Sequence, residues 1–103
     1  MVIAAKVAAV IYVARAQSYA GKGDLKKAIA DATHAIQLDR DLAIAYNTRG
    51  VAFGRLGDFN SAIKDFDAAL RLDPRLTDAQ RNRALAQRYL SQRSGPKRTT
   101  KTR

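Results

Sequence analysis

Residues 43–76 read AIAYNTRGVAFGRLGDFNSAIKDFDAALRLDPRL, and the 34 residues before them, AVIYVARAQSYAGKGDLKKAIADATHAIQLDRDL at 9–42, repeat the pattern in register. Tyr12 aligns with Tyr46, Arg15 with Arg49, Gly23-Asp24 with Gly57-Asp58, Ala28-Ile29 with Ala62-Ile63, Asp31 with Asp65, Ala35 with Ala69, and Leu38-Asp39 with Leu72-Asp73. A period of this size marks stacked supersecondary units, because one unit cannot bury its apolar face alone. Tyr12, Ala16 and Tyr19 stand at i, i+4 and i+7, as do Tyr46, Gly50 and Phe53, so each trio shares one helix face. The Gly-Asp pairs then stop that helix and start another, Gly supplying the left-handed turn and Asp the N-cap oxygen. Ala28, Ile29, Ala32, Ala35 and Ile36, or Ala62, Ile63, Phe66, Ala69 and Leu70, give the second helix its apolar face. Pro74 closes the second unit, since Pro cannot continue a helix and biases Asp73 away from helical angles. Helices are expected at roughly 8–22, 25–38, 43–56, 59–72 and 77–92.

Composition agrees. The 103 residues are 47% hydrophobic but only 7% aromatic, with no Trp, which points to an alanine-rich helical core. There is no Cys, so thiol and disulfide chemistry are excluded; His34 is the only His, which leaves a His-based metal site or catalytic triad almost nothing to use. The net charge of +10 is concentrated at the C-terminal end, where residues 75–103 carry nine Lys/Arg and one acid, Asp78. A nearly neutral repeat body with a basic end is the better description.

The offsets of aromatic, small and Pro residues resemble the tetratricopeptide repeat family. Ala43–Leu76 carries the resemblance at Tyr46, Gly50, Phe53, Gly57, Ala62, Phe66, Ala69 and Pro74. Ala9–Leu42 keeps Tyr12, Ala16, Tyr19, Gly23, Ala28 and Ala35 but has Ala32 for the second-helix aromatic and Arg40 for the Pro. Both units place Arg, at Arg15 and Arg49, where Leu is typical. The expected fold is therefore all-α: a short solenoid of two stacked helix–turn–helix repeats plus a C-terminal capping helix over residues 1–93. The tail Ser94–Arg103 (SGPKRTTKTR) has no apolar residue and is expected to be disordered.

In the terminal helix, Gln80, Arg81, Asn82, Gln87, Arg88 and Gln92 supply a polar outer side, while Leu85, Tyr89 and Leu90 are expected to pack inward. At the other end, Met1–Ala14 is apolar apart from Lys6 and too short to span a bilayer. Lys6, Val7–Ala14 and Ala14-Arg15-Ala16 loosely mimic a secretory leader, yet cleavage there would destroy the first helix. Two full repeats fall short of the three usually needed, so the apolar N-terminal helix is expected to pack on a second copy of the chain or on upstream repeats of a longer array. A cytoplasmic setting is favoured, although nothing in the sequence fixes the compartment.

The resemblance implies a protein-interaction scaffold whose first helices line a concave peptide groove. Helical periodicity then selects Val10, Val13 and Gln17 from the first unit and Ile44, Asn47, Val51 and Arg55 from the second. Asp78, Arg81, Leu85 and Arg88 come from the last helix. This groove is apolar at one end and basic at the other, suiting a peptide or partner protein with an apolar anchor and acidic groups. One subset of the family clamps a peptide's terminal carboxylate with Lys, Asn, Asn, Lys and Arg. The corresponding positions here are Val13, Gln17, Thr48, Asp78 and Asn82, so that clamp is not expected.

Arg15 and Arg49 are read as partners of Asp31 and Asp65, pairs that order packing more than they add stability. Arg83 follows the same register, with Asp65 or a ligand as its partner. His34 is read as a solvated surface residue. An alternative function uses the basic end, Arg81, Arg88, Arg93, Lys97, Arg98, Lys101 and Arg103, to contact nucleic acid or another acidic surface. No catalytic, metal or cofactor site is expected: no Gly-rich phosphate loop and no nucleophile beside a base occurs, and Gly21-Lys22-Gly23-Asp24 is an inter-helix turn.

Overall fold

A computed structural model describes residues 2–94, which form five helices: α1 Val2–Gly21, α2 Leu25–Leu38, α3 Ala43–Arg55, α4 Phe59–Leu72 and α5 Thr77–Ser94. Each helix packs on the next; α1 also touches α3 and α3 touches α5, whereas α2 and α4 do not meet. The first helices thus form the inner layer of the curved stack and the second helices the outer one. The basic tail predicted beyond α5 lies outside the described residues.

The turns follow the expected chemistry. Gly23 and Gly57 adopt φ of +86° and +87°. In each, the following Asp N–H reaches back to the aromatic carbonyl, Asp24 to Tyr19 O and Asp58 to Phe53 O, both at 2.9 Å. This closes a Schellman motif. The same aspartates accept from Lys27 N at 3.4 Å and Ser61 N at 3.1 Å, capping α2 and α4. Between repeats, Asp39 accepts from Asp41 N and Asp73 from Arg75 N, both at 3.1 Å. These matching Asx turns explain why Arg40 substitutes for Pro: the side chain of the preceding Asp already holds the bend.

Two expectations change. α1 begins at Val2 rather than near residue 8, because Ala4, Ala5 and Ala8 favour the helix and nothing in residues 2–8 breaks it. Residues 5–8 therefore remain helical where residues 39–42 and 73–76 turn. In α5, Leu85 and Tyr89 are not inward: they are 45% and 48% exposed, while Ala79 and Ala86 make the buried contacts. Close helix approach accounts for this. Of the fourteen buried apolar residues described, twelve are Ala, with Val13 and Phe66 the exceptions. A seam of methyl groups leaves no depth for Leu or Tyr.

The Arg–Asp pairs form a ladder along the stack. Arg15 donates to Asp31 at 2.7 and 2.9 Å, and Arg49 to Asp65 at 2.8 and 2.9 Å. Arg49 also reaches back to Thr33 Oγ1 of the preceding repeat at 3.2 Å. Arg83 pairs with Asp67, not Asp65. Asp65 is already held by Arg49, and Asp67 occupies the position equivalent to Thr33, so the last arginine uses the backward contact alone. His34 is exposed as expected, and its ring stacks on Tyr12 with centroids 4.2 Å apart.

Candidate functional site

Two adjoining hollows lie on the inner layer. The larger, about 440 Å³, is lined by Val51, Gly54 and Arg55 of α3, Phe59 and Phe66 of α4, and Asn82, Leu85, Ala86 and Tyr89 of α5. The smaller, about 220 Å³, is lined by Gln17, Ala20 and Gly21 of α1 and Asn47, Thr48, Val51 and Arg55 of α3. They meet at Val51 and Arg55, which line both. Gly54 lines the larger without a side chain, and the Phe66 ring, 2% exposed, forms its floor. Phe59 stacks on Tyr89 at 5.5 Å and forms an aromatic wall. The lining is a mainly apolar bowl with a few polar groups on its rim, the usual make-up of a ligand-binding concavity.

Those rim groups are held in place. Arg55 donates to the Ala20 carbonyl at 2.8 Å across the α1–α3 crevice, leaving the rest of its guanidinium at the surface. Asn82 donates to Asn47 at 3.2 Å, and Gln17 to Thr48 at 3.4 Å. Asn47 and Thr48 are 9% and 5% exposed, so each buried polar group has a partner.

Of the predicted groove residues, Gln17, Asn47, Val51, Arg55 and Leu85 come together in this pair of hollows. Val13 does not. It is 4% exposed and packs with Ala9, Ala35 and Ala45 where α1 meets α2 and α3. Its predecessor on the groove face, Val10, is 55% exposed, so the boundary between groove and core falls between them. Val10, Ile44, Arg81 and Arg88 lie outside both hollows; Arg81 pairs with Asp78 at 3.1 Å, and Arg88 is exposed one turn beyond Leu85. Sequence reasoning missed Phe59, Phe66, Tyr89, Gly54 and Asn82. All five differ from their counterparts one repeat earlier, and that asymmetry was the available signal: Phe59 replaces Leu25, Phe66 replaces Ala32, Gly54 replaces Ala20, Asn82 replaces Thr48, and Tyr89 replaces Arg55.

The basic end is less open than its composition suggests. Arg93 donates to the Gly57 carbonyl at 2.7 Å and lies over the Phe59 ring at 5.4 Å, and Arg81 is engaged with Asp78. Lys97, Arg98, Lys101 and Arg103 lie outside the described residues. No helix among the described residues is long and apolar enough to cross a membrane.

Two tetratricopeptide repeat family models match the chain, one at residues 9–42 and one at 43–76, each spanning one of the helix pairs just described except for the first turns of α1. The chain belongs to the tetratricopeptide repeat family. No curated protein sequence matches it. Among solved structures, it resembles the second tetratricopeptide domain of human RPAP3 in complex with the HSP70 peptide SGPTIEEVD. That match has 32% identity over 77% of this chain and 66% of the other, with a TM-score of 0.74. The TPR2B domain of yeast Sti1, in a complex with pHsp70, is 27% identical over 84% of this chain and 69% of that one, with a TM-score of 0.80. The tetratricopeptide domain of Arabidopsis OM64, 22% identical, shares the fold over 93% of this chain and 89% of its own, with a TM-score of 0.81. At the five positions where a carboxylate clamp would stand, this tetratricopeptide domain buries Val13, joins Gln17 to Thr48, pairs Asp78 with Arg81 and turns Asn82 to Asn47.

Proposed function

We propose that this domain is a protein-interaction scaffold, not an enzyme, and that its two joined hollows hold a peptide segment of a partner protein. The 440 Å³ aromatic bowl carries this reading, because it is open at the surface and has the size of a ligand pocket, with room for a bulky apolar side chain and its neighbours on a peptide. Arg55 on the shared rim, with Arg88 beyond it, favours acidic residues beside that anchor, where guanidinium groups give bidentate contacts. The HSP70 peptide bound by the RPAP3 domain pairs apolar with acidic residues in its IEEVD end, which supports the same chemical class here. The clamp positions of this chain hold no free cation, so recognition rests on the apolar anchor and acidic side chains and does not require a free C-terminus.

The test uses labelled peptides with Leu or Phe among Glu and Asp, measured by fluorescence anisotropy as free acids and as amides. Val51→Glu or Leu85→Glu is expected to weaken binding at least roughly tenfold, because either places a charge in the apolar bowl. Arg55→Ala is expected to weaken it by several-fold, and amidation to leave it unchanged. Binding indifferent to Val51→Glu and Leu85→Glu sinks the groove; binding that vanishes on amidation sinks the side-chain mode of recognition. Val13→Glu is no test of the groove, since it breaks the core.

A further inference from the structure

α1 carries two apolar seams, and the fold uses one. Ala9, Val13, Ala16 and Ala20 are buried against the rest of the stack. Ile3, Val7, Val10 and Ala14 follow the same alternating spacing of four and three residues, roughly 120° round the helix from the buried seam at ~100° per residue. All four are exposed, Ile3 by 77%, Val7 by 53% and Val10 by 55%, and Ile11 beside them by 61%. A helix that is apolar on nearly every side is one that packs on both.

We infer that the exposed seam recognises a second copy of this chain, the two α1 helices pairing antiparallel with Ile3 facing Ala14 and Val7 facing Val10. Four observations select this occupant. The spacing is that of a coiled-coil seam, and in this one register every layer is matched: large against small at both ends, two equal Val layers between. The arrangement is its own two-fold image, as a closed homodimer requires. Charge points the same way. The chain has a net charge of +10, so most faces of two copies repel. Lys6 is the only charge among residues 1–14, and it lies beside the seam, 3.5 Å from Asp39. Finally, a further repeat joined in the register of these two would need a turn at residues 5–8, and those residues are helical. The seam from Ile3 to Ala14 is only ~17 Å long at ~1.5 Å per residue. It covers less than the ~1,200 Å² of a stable interface, so the dimer depends on concentration.

Because the chain has no Cys, single cysteines report the register directly. Full-length Ile3→Cys and Ala14→Cys are mixed in equal amounts, oxidised mildly and weighed intact; the two variants differ in mass. The ratio of mixed disulfide to either self-pair is expected to exceed its statistical value roughly tenfold, as antiparallel layers demand. Sedimentation of the unmodified chain should show a weight-average mass that rises with concentration, and Val7→Glu should hold the chain monomeric with its helix content intact. Self-paired products of each variant would mean parallel pairing and overturn the proposal. So would a monomer at every concentration with disulfides in statistical proportion, including the case where α1 instead binds anionic lipid vesicles.

Discussion

Gly50 and Phe66 form a fitted pair, and changing the pair one member at a time tests whether packing across α3 and α4 is as tight as the geometry indicates. A Cβ placed on Gly50 would meet the Phe66 ring at 2.6 Å (Cε1), 2.9 Å (Cδ1) and 3.1 Å (Cζ). The ring is 2% exposed and packs with Ala62 and Ala86, so its one escape is toward the hollow it floors. In the first repeat the equivalent positions are Ala16 and Ala32, both fully buried. The sum of the two side chains is thus distributed differently in the two repeats: methyl with methyl in one, hydrogen with phenyl in the other.

Overpacking costs ~1–3 kcal/mol, and replacing Gly by Ala inside a helix returns ~1 kcal/mol. Gly50→Ala alone is therefore expected to destabilise by up to ~2 kcal/mol. Phe66→Ala alone removes the only large buried side chain of its cluster and is expected to cost ~3–5 kcal/mol, toward the lower figure because the ring borders an open hollow. With Phe66 already replaced, the clash is gone, and Gly50→Ala should stabilise by about the ~1 kcal/mol of helix propensity. The sign of one substitution thus reverses with the identity of the other. Urea denaturation of the four proteins, followed by circular dichroism, gives a coupling expected near ~1–3 kcal/mol. Thermal midpoints should shift by ~4–8 °C per kcal/mol for a domain of this size. An equal effect of Gly50→Ala in both backgrounds refutes the reasoning.

The ladder of ion pairs should be graded by burial. Arg49→Ala strands the Asp65 carboxylate, whose side chain is 7% exposed, and is expected to cost ~3–5 kcal/mol, whereas Arg83→Ala breaks a pair 38% exposed on each side and should cost at most ~1 kcal/mol by the same denaturation assay. The hydrogen bond from Arg15 holds the Asp31 carboxyl below its ordinary value. As pH falls below ~4 the unfolded chain therefore takes up this proton first, and the contribution present at neutral pH is lost through the acid range; Asp31→Asn should flatten that part of the stability–pH curve, and an unchanged curve would contradict the assignment. Gly57→Ala forces φ of +87° on a residue with a Cβ and should lower stability by ~1 kcal/mol, read as a lower urea midpoint at unchanged slope.

Helix order, turns and caps were legible because each follows from a local rule stated twice, once per repeat: Gly-Asp at 23–24 and 57–58, Asp at 39 and 73, Arg with Asp sixteen residues on. Val13 was misplaced because helical periodicity assigns a residue to a sector of about a quarter-turn, and the border between the groove and the α1–α2–α3 junction runs through that sector. Only the depth of the neighbouring Ala9, Ala35 and Ala45 seam decides the side. Arg83 was paired with the wrong aspartate for a related reason. Arg49 shows that this position reaches both forward and backward, and the repeat alignment alone records the forward contact. Leu85 and Tyr89 were turned inward on hydrophobicity, but in a core built of methyl groups the larger side chains are the ones left outside.

That last point explains where the candidate site is. Matched positions of the repeat build the stack, and mismatched ones leave it unlike itself at one place. Phe66 for Ala32 sets a ring into the α3–α4 seam, which Gly50 for Ala16 makes room for. Gly54 for Ala20 lines the surface above without a side chain, and Val51 for Gln17 makes it apolar. Among the described residues α5 is covered by α3 and α4 alone, and Leu85 and Tyr89 form the far wall of the bowl. Phe66 apart, which also packs the α3–α4 seam, the residues that fold the chain are therefore those that repeat, and the residues proposed to recognise a partner are those that do not. Restoring the first-repeat pattern at residues 50 and 66 together should cost ~2–4 kcal/mol, the Phe66→Ala loss less what Gly50→Ala returns, and should remove the floor of the hollow, so that peptide binding is lost by anisotropy under conditions where circular dichroism still shows intact helices. Loss of both together would place recognition and stability on the same side chains and undo the separation argued here.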